Sequence, residues 1–256
     1  MPPSHMELRD RHHQILQVLN QEGEVSVAEL SRITEVSEMT VRRDLDELEG
    51  EGLLKRVHGG AVREVSRSYE PAYALRAGRA VEAKEAIGRR AAELVSEGDA
   101  LVIDVGTTAL AFARALPDMS LTVVTPDVRV AGVLSGKRSI RLILTGGVMR
   151  PGEQSLVGPL AEHAFEDLRC DIAFVTGGGF DVEAGLTEYN LDDANLKRAM
   201  LASCPRCVIL ADASKIGVVA FARVCPTSRV DTLVTDERDD HVLRPFRDRG
   251  VEVKSA

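Results

Sequence analysis

No run of about 18 apolar residues occurs in the chain, so no segment reads as a membrane span. The opening stretch, Met1-Pro2-Pro3-Ser4-His5-Met6, lacks the basic cluster and apolar core of an export signal, so a cytoplasmic location is expected. Net positive charge is lacking too: the formal value is -8, which argues against generic nucleic-acid binding. Residues 1–65 carry eight Lys/Arg against thirteen Asp/Glu. DNA binding there must come from cations placed on one face, not from bulk charge. Cysteine is scarce. Cys170, Cys204, Cys207 and Cys225 all lie in the C-terminal half and read as buried thiols of a reducing compartment. Cys204-Pro205-Arg206-Cys207 is a CxxC without a second one, so the spacing of a zinc site is not met. A thiol or zinc sensor built on that pair is a separate reading, tested by metal analysis. Internal repeats and low-complexity tracts are also absent.

What is present is a globular composition, 44% hydrophobic and 28% charged, long enough for a small domain joined to a medium one. Leu8, His12, Ile15, Leu16 and Leu19 recur at helical spacing, which predicts a helix over 8–22 ending near Gly23. Glu24-Val25 is a short extended piece. Ser26-Val27-Ala28-Glu29 reads as a capping box opening a second helix to about Ile33. Ser37 is a good N-cap for a third helix reaching about Gly50. Residues 53–62 read as a hairpin turning at Gly59-Gly60. Three short helices and a hairpin are the organisation of a winged helix-turn-helix. His12 and His13 point about 100° apart on a helix and do not make a metal pair.

In the third helix Val41, Leu45 and Leu48 form an inward face, while Met39, Arg43 and Asp46 face out with Thr40 and Arg42 on the flanks. A recognition helix needs such an apolar back and cationic front. Arg42 and Arg43 suit phosphate or guanine O6/N7, and Ser37 and Thr40 suit phosphates at the helix start. Lys55, Arg56 and His58 lie on the wing. With Ser26 and Met39 these residues make the expected DNA-binding set. Glu38, Asp44, Asp46, Glu47 and Glu49 are expected to face away or pair with arginines. The alternative for Arg42 and Arg43 is surface pairing with Asp46 and Glu47.

Residues 63–78 lack a steady period and read as a linker between a domain at 1–62 and one at 79–256. Past residue 79 a helix at about 80–96 leads into apolar strand candidates at 100–105, 121–125, 140–145, 171–176, 206–211, 231–235 and 250–254. Helical segments fill most of the gaps. That alternation predicts an α/β domain with a mostly parallel sheet, whose ligands bind beyond the strand C-termini. Three glycine-rich stretches fall there: Asp104-Val105-Gly106-Thr107-Thr108, Thr145-Gly146-Gly147, and Thr176-Gly177-Gly178-Gly179. Gly106 lets backbone approach a ligand, and Thr107 and Thr108 stand at a helix N-terminus, where N–H groups bind anions. The plain alternative is a threonine-capped helix. Lys215, in Ala211-Asp212-Ala213-Ser214-Lys215, brings a cation to the same side. Their joint placement predicts one pocket with a phosphate locus.

Thr40-Val41-Arg42-Arg43-Asp44-Leu45 with His58-Gly59-Gly60-Ala61 resembles the DeoR family of sugar-metabolism regulators. The resemblance continues through Glu70-Pro71, Arg76, Lys84, Asp104–Thr108, Leu156-Val157-Gly158-Pro159, Gly185-Leu186-Thr187, Asn190 and Asp212–Lys215. It implies a sensor domain related in fold to ribose-5-phosphate isomerase. It implies phosphate at Gly106–Thr108 with help from Lys84, and the sugar near Asp104, Thr176–Gly179, Glu188 and Lys215. The chain departs from the isomerase, which has carboxylates in the loop matching 176–179 and a catalytic glutamate near Lys197. Proton shuttling needs a positioned base, so binding without reaction is expected. It also departs from the family at Gly178, often acidic there, and at Pro126, commonly Asn.

The expected function is therefore a sequence-specific transcriptional repressor of sugar-metabolism genes. Its partners are operator DNA, a phosphorylated sugar that releases it, and at least one further copy of itself, since paired half-sites need a dimer. No catalytic residue, metal, cofactor or membrane contact is expected. The alternative is an isomerase-like enzyme with an appended DNA-binding domain.

Overall fold

The computed structural model describes residues 8–50, 53–62 and 67–256. Two compact units divide the chain, Met1–Tyr69 and Glu70–Ala256. Met1–Met6, the side chains of Leu8 and His13, and residues 63–66 of the expected linker lie outside the described residues.

The first unit runs α1 (Leu8–Glu22), β1 (Glu24–Ser26), α2 (Val27–Thr34), α3 (Glu38–Gly50), β2 (Lys55–Val57) and β3 (Gly60–Val62). The apolar stripes of the three helices meet in one core. Ile15, Leu19, Leu30, Val41, Leu45 and Leu48 pack there with Val25, Val27, Leu54 and Ala61. Ser26 Oγ accepts from Glu29 N at 3.1 Å and caps α2, and Ser37 Oγ does the same for Thr40 N at 3.2 Å. The strands pair antiparallel in the order β1-β3-β2. The hairpin turns at His58-Gly59, not at Gly59-Gly60 as expected, and Gly59 takes φ 88°. Gly60 is already in β3, where a Cβ would stand 2.2 Å from the Val25 carbonyl oxygen.

The second unit begins with α4 (Tyr73–Ala77) and α5 (Val81–Ala92). Residues 70–78, expected as linker, therefore belong to this unit. Next come β4 (Ala100–Ile103), α6 (Thr107–Ala115), β5 (Leu121–Thr125), α7 (Val128–Leu134), β6 (Ile140–Leu144), β7 (Val148–Met149), β8 (Leu156–Val157) and α8 (Pro159–His163). β9 (Ile172–Val175), β10 (Gly179–Asp181), β11 (Gly185–Glu188), α9 (Leu191–Ala202), β12 (Arg206–Leu210) and β13 (Ala222–Cys225) follow. The unit ends with β14 (Thr232–Thr235), α10 (Asp240–Arg247) and β15 (Glu252–Ser255).

Seven strands form a parallel sheet in the order β15-β14-β12-β9-β4-β5-β6. Successive residues serve opposite faces, as strand geometry requires. Leu101, Ile103, Ile172, Phe174, Val208 and Leu210 face one core with Ile87 and Phe112. Val102, Ala173, Val175, Cys207 and Ile209 face the other with Leu196, Met200 and Phe246. Both faces are covered, which explains the continuous apolar runs. A second, antiparallel sheet, β10-β11-β13, and the β7-β8 pair carry no sequence signal. Their strands span two to four residues, too short to show a period.

Candidate DNA-binding face and effector site

α3 buries Val41, Leu45 and Leu48 and turns Met39, Arg42 and Arg43 outward, Met39 being 73% exposed. Arg42 pairs with Glu38 one turn back at 2.8 Å, not with Asp46. Arg43 is exposed and has no partner among the described residues. Asp46 instead pairs with Arg56 of the wing, whose backbone N–H also donates to Glu49 at 2.8 Å. The Arg56 side chain thus ties the wing to α3, while Lys55 and His58 are exposed. Asp44, expected at the surface or on a nearby arginine, is buried and pairs with Arg11 of α1. Nothing in the local sequence pointed to that long-range partner.

In the seven-stranded sheet of the second unit all strands are parallel, so the loops after β4, β9 and β12 open on one edge. Gly106 takes φ 109°, a conformation that favours glycine. It is the N-cap of α6 and supplies no side-chain cap, and neither threonine provides one. The threonine-capped alternative is not realised. The Gly106 N–H donates to Asp127 Oδ2 at 3.0 Å. The N–H groups of Thr107, Thr108 and Ala109 open the helix without acceptors among the described residues. Asp127 itself caps α7 by accepting from Arg129 N at 2.7 Å and Val130 N at 3.2 Å, and its burial pushes its carboxyl pKa up. It was missed in the sequence, although an Asp just before an apolar helix is an N-cap signal.

Asp104, fully buried, accepts from Thr176 N at 2.8 Å through Oδ2, while its Oδ1 has no partner among the described residues. Lys197 reaches the same Oδ2, and its Nζ lies 3.4 Å from Glu188 Oε2. Burial pushes the Glu188 carboxyl up. For Lys197 burial works against the charge, but the carboxylates of Asp104, Glu188 and Asp193 outweigh it and raise the pKa. Lys197 thus joins Asp104, Thr176 and Glu188 into one cluster. Sequence reasoning had placed it only as the counterpart of an isomerase glutamate.

Lys215 Nζ lies 3.4 Å from the Tyr189 hydroxyl, which donates to the Gly178 carbonyl at 3.1 Å. A Cβ on Gly178 would stand 2.9 Å from the Tyr189 ring. An acidic side chain there would collide with that ring, which accounts for the glycine. Gly177 and Gly179 are packing glycines, their Cβ positions 2.6 Å from Leu186 and 2.2 Å from the Val218 carbonyl oxygen. Lys84 is buried, which lowers its pKa, and donates to the carbonyls of Arg76 and Arg79 at 2.5 and 2.7 Å. It holds the 76–79 backbone. Gly146 and Gly147 follow β6, two strands from β4 in the sheet order. Gly147 serves packing, with its Cβ position 2.7 Å from the Val157 carbonyl oxygen. No hydrogen bond joins them to the Gly106 loop. The four thiols are free. Cys204 Sγ lies 3.6 Å from Ser203 Oγ, and all four are buried and unbridged.

Residues 79–237 match the family profile described as the DeoR C terminal sensor domain, and residues 11–67 match the DeoR-like helix-turn-helix domain. The chain belongs to the DeoR family. The HTH-type transcriptional regulator GolR of Listeria innocua is 37% identical over 96% of this chain and 98% of its own length. The glycerol-3-phosphate regulon repressor of Escherichia coli is 34% identical over 90% of this chain and 92% of its own. A solved ribose-5-phosphate isomerase from Methanocaldococcus jannaschii aligns with a TM-score of 0.39 at 16% identity, covering 52% of each chain. This DeoR-family chain is a DNA-binding transcriptional regulator, not an enzyme. No helix among the described residues is long and apolar enough to cross a membrane.

Proposed function

We propose that this DeoR-family chain is a cytoplasmic repressor of sugar-metabolism genes that leaves its operator when a phosphorylated sugar binds. The observation that carries the reading is the bare N-terminus of α6. Three N–H groups there lack acceptors among the described residues, beside a glycine at φ 109° and two threonines whose hydroxyls make no capping bond. A helix start of this kind favours a dianion by both hydrogen bonding and its dipole. The name of the Escherichia coli relative, a glycerol-3-phosphate regulon repressor, is consistent with it. Thr107 and Thr108 hold the phosphate, and the unpaired Asp104 Oδ1, with Thr176, Glu188 and Lys215, meets the hydroxyl-bearing end. Arg43 reads DNA, with Ser37, Thr40, Arg42, Lys55 and His58 at the phosphates. The protein acts as at least a dimer, because two recognition helices must span one DNA turn. Effector binding shifts the population between operator-competent and operator-released arrangements.

A thermal-shift panel of phosphorylated sugars and their unphosphorylated parents tests the reading, since a ligand of the native state raises its stability. Selective stabilisation by one phosphate ester is expected. A cooperative melt that no ester shifts overturns the effector assignment and leaves the DNA-binding assignment standing.

A further inference from the structure

Arg76 lies between the Gly106 loop and the residue at which the second unit begins. Its Nε donates to the Pro71 carbonyl at 2.9 Å, and its Nη2 to Glu70 at 3.1 Å and to Glu153. Its Nη1 lies 4.0 Å from where a Cβ on Gly106 would stand and has no partner among the described residues. Glu70 is shared: its other oxygen accepts from Arg150 Nη2 at 2.7 Å, and Arg150 pairs onward with Asp193. The side chains of Arg76, Glu70 and Glu153 are only 18%, 16% and 15% exposed, so solvent screens these pairs less than surface ones. Lys84 pins the same segment through the Arg76 and Arg79 carbonyls. Glu70 is the first residue of the second unit. The chain coming from the DNA-binding unit therefore joins at the carboxylate that Arg76 holds.

We infer that Arg76 senses the anion at the Gly106–Thr108 loop and relays its presence by relaxing its hold on Glu70. The inference rests on the proposed effector site. A phosphate on the Thr107 and Thr108 N–H groups falls within reach of Nη1. There it gains a charge-assisted bond at the open Nη1 and draws the guanidinium toward itself, away from Glu70 and Glu153 on Nη2. The new negative charge also repels both carboxylates. Arg150 keeps its tie to Asp193, so the change falls on the 70–79 segment and on Glu153. A bound anion is thereby felt at the connection to the DNA-binding unit without any change in the sheet.

Hydrogen–deuterium exchange of the full chain tests this, with inorganic phosphate as the probe and chloride of matched ionic strength as the control. In the unmodified protein phosphate is expected to slow exchange over 106–111 and to speed it over 70–79. Glu70→Gln is expected to keep the first effect and lose the second, because an uncharged amide has no strong tie to release. Slowing at 106–111 with 70–79 unchanged overturns the relay and leaves the effector site standing. Equal loosening of 70–79 in Glu70→Gln also overturns the relay. No slowing at 106–111 overturns the site and the relay together. If Glu70→Gln does not fold, the comparison within the unmodified protein still decides.

Discussion

Arg11 and Asp44 form a two-point ion pair inside the N-terminal unit, Nε to Oδ2 at 2.5 Å and Nη2 to Oδ1 at 2.8 Å. Asp44 belongs to the Thr40–Leu45 run that resembles the family's DNA-reading motif, yet it is 1% exposed and faces α1. Its work is structural. Asp44→Ala removes the carboxylate that accepts both of these bonds and is expected to cost about 1–3 kcal/mol. Urea unfolding measures this; a cost below about 1 kcal/mol would place the pair among weak surface contacts.

Arg43 is the contrasting case, exposed and unpaired among the described residues. Arg43→Ala should leave stability within about 0.5 kcal/mol. It should weaken binding to a duplex selected by the protein from a random pool and lower the salt slope by about 1. An unchanged titration would remove Arg43 from the DNA face. Arg56→Ala should act differently, by loosening the wing that its bond to Asp46 holds.

Gly178 is set by the Tyr189 ring and by Ala220, whose atoms lie 2.9 and 3.0 Å from its Cβ position. Gly178→Asp is expected to destabilise by about 1–3 kcal/mol through overpacking. The cost should shrink when Tyr189→Ala is present, giving a favourable coupling in a double-mutant cycle. Additive effects would mean that the ring is not the obstacle.

Burial pushes the Asp193 carboxyl from 3.8 up to about 7, against the pull of Lys197 and Arg150 and with the repulsion of Glu188 and Glu70. Between those values the folded protein holds a proton that the unfolded chain has lost. Stability from this group is therefore highest at low pH and falls as pH rises through the window, with no further change above it. Asp193→Asn should flatten the difference in unfolding free energy between about pH 5 and about pH 8. An identical difference in the variant would contradict the shift.

The sequence made the helix-turn-helix and the parallel sheet legible because both depend on short-range periodicity. The 3.6-residue stripe of Val41, Leu45 and Leu48 and the apolar run 121–125 each declare one element. The β4–Gly106–Thr107 turn was legible for the same reason. Partners distant in the chain were not. Asp104 meets Lys197 across 93 positions, and Arg150 meets Glu70 across 80. Close packing was also hidden: Gly177, Gly178 and Gly179 read as a ligand loop, whereas side chains and backbone crowd each Cβ position. Lys84 read as a phosphate ligand because its charge is visible and its two carbonyl acceptors are not.

The most direct test of the account is release of DNA by the effector. The protein is bound to the selected duplex and titrated with the sugar phosphate that stabilises it, followed by fluorescence anisotropy. Thr107→Ala with Thr108→Ala is run beside it. The unmodified protein should release the duplex, and the double variant should bind it equally well and keep it. Retention by the unmodified protein at saturating ester, or equal release by both, would contradict the account.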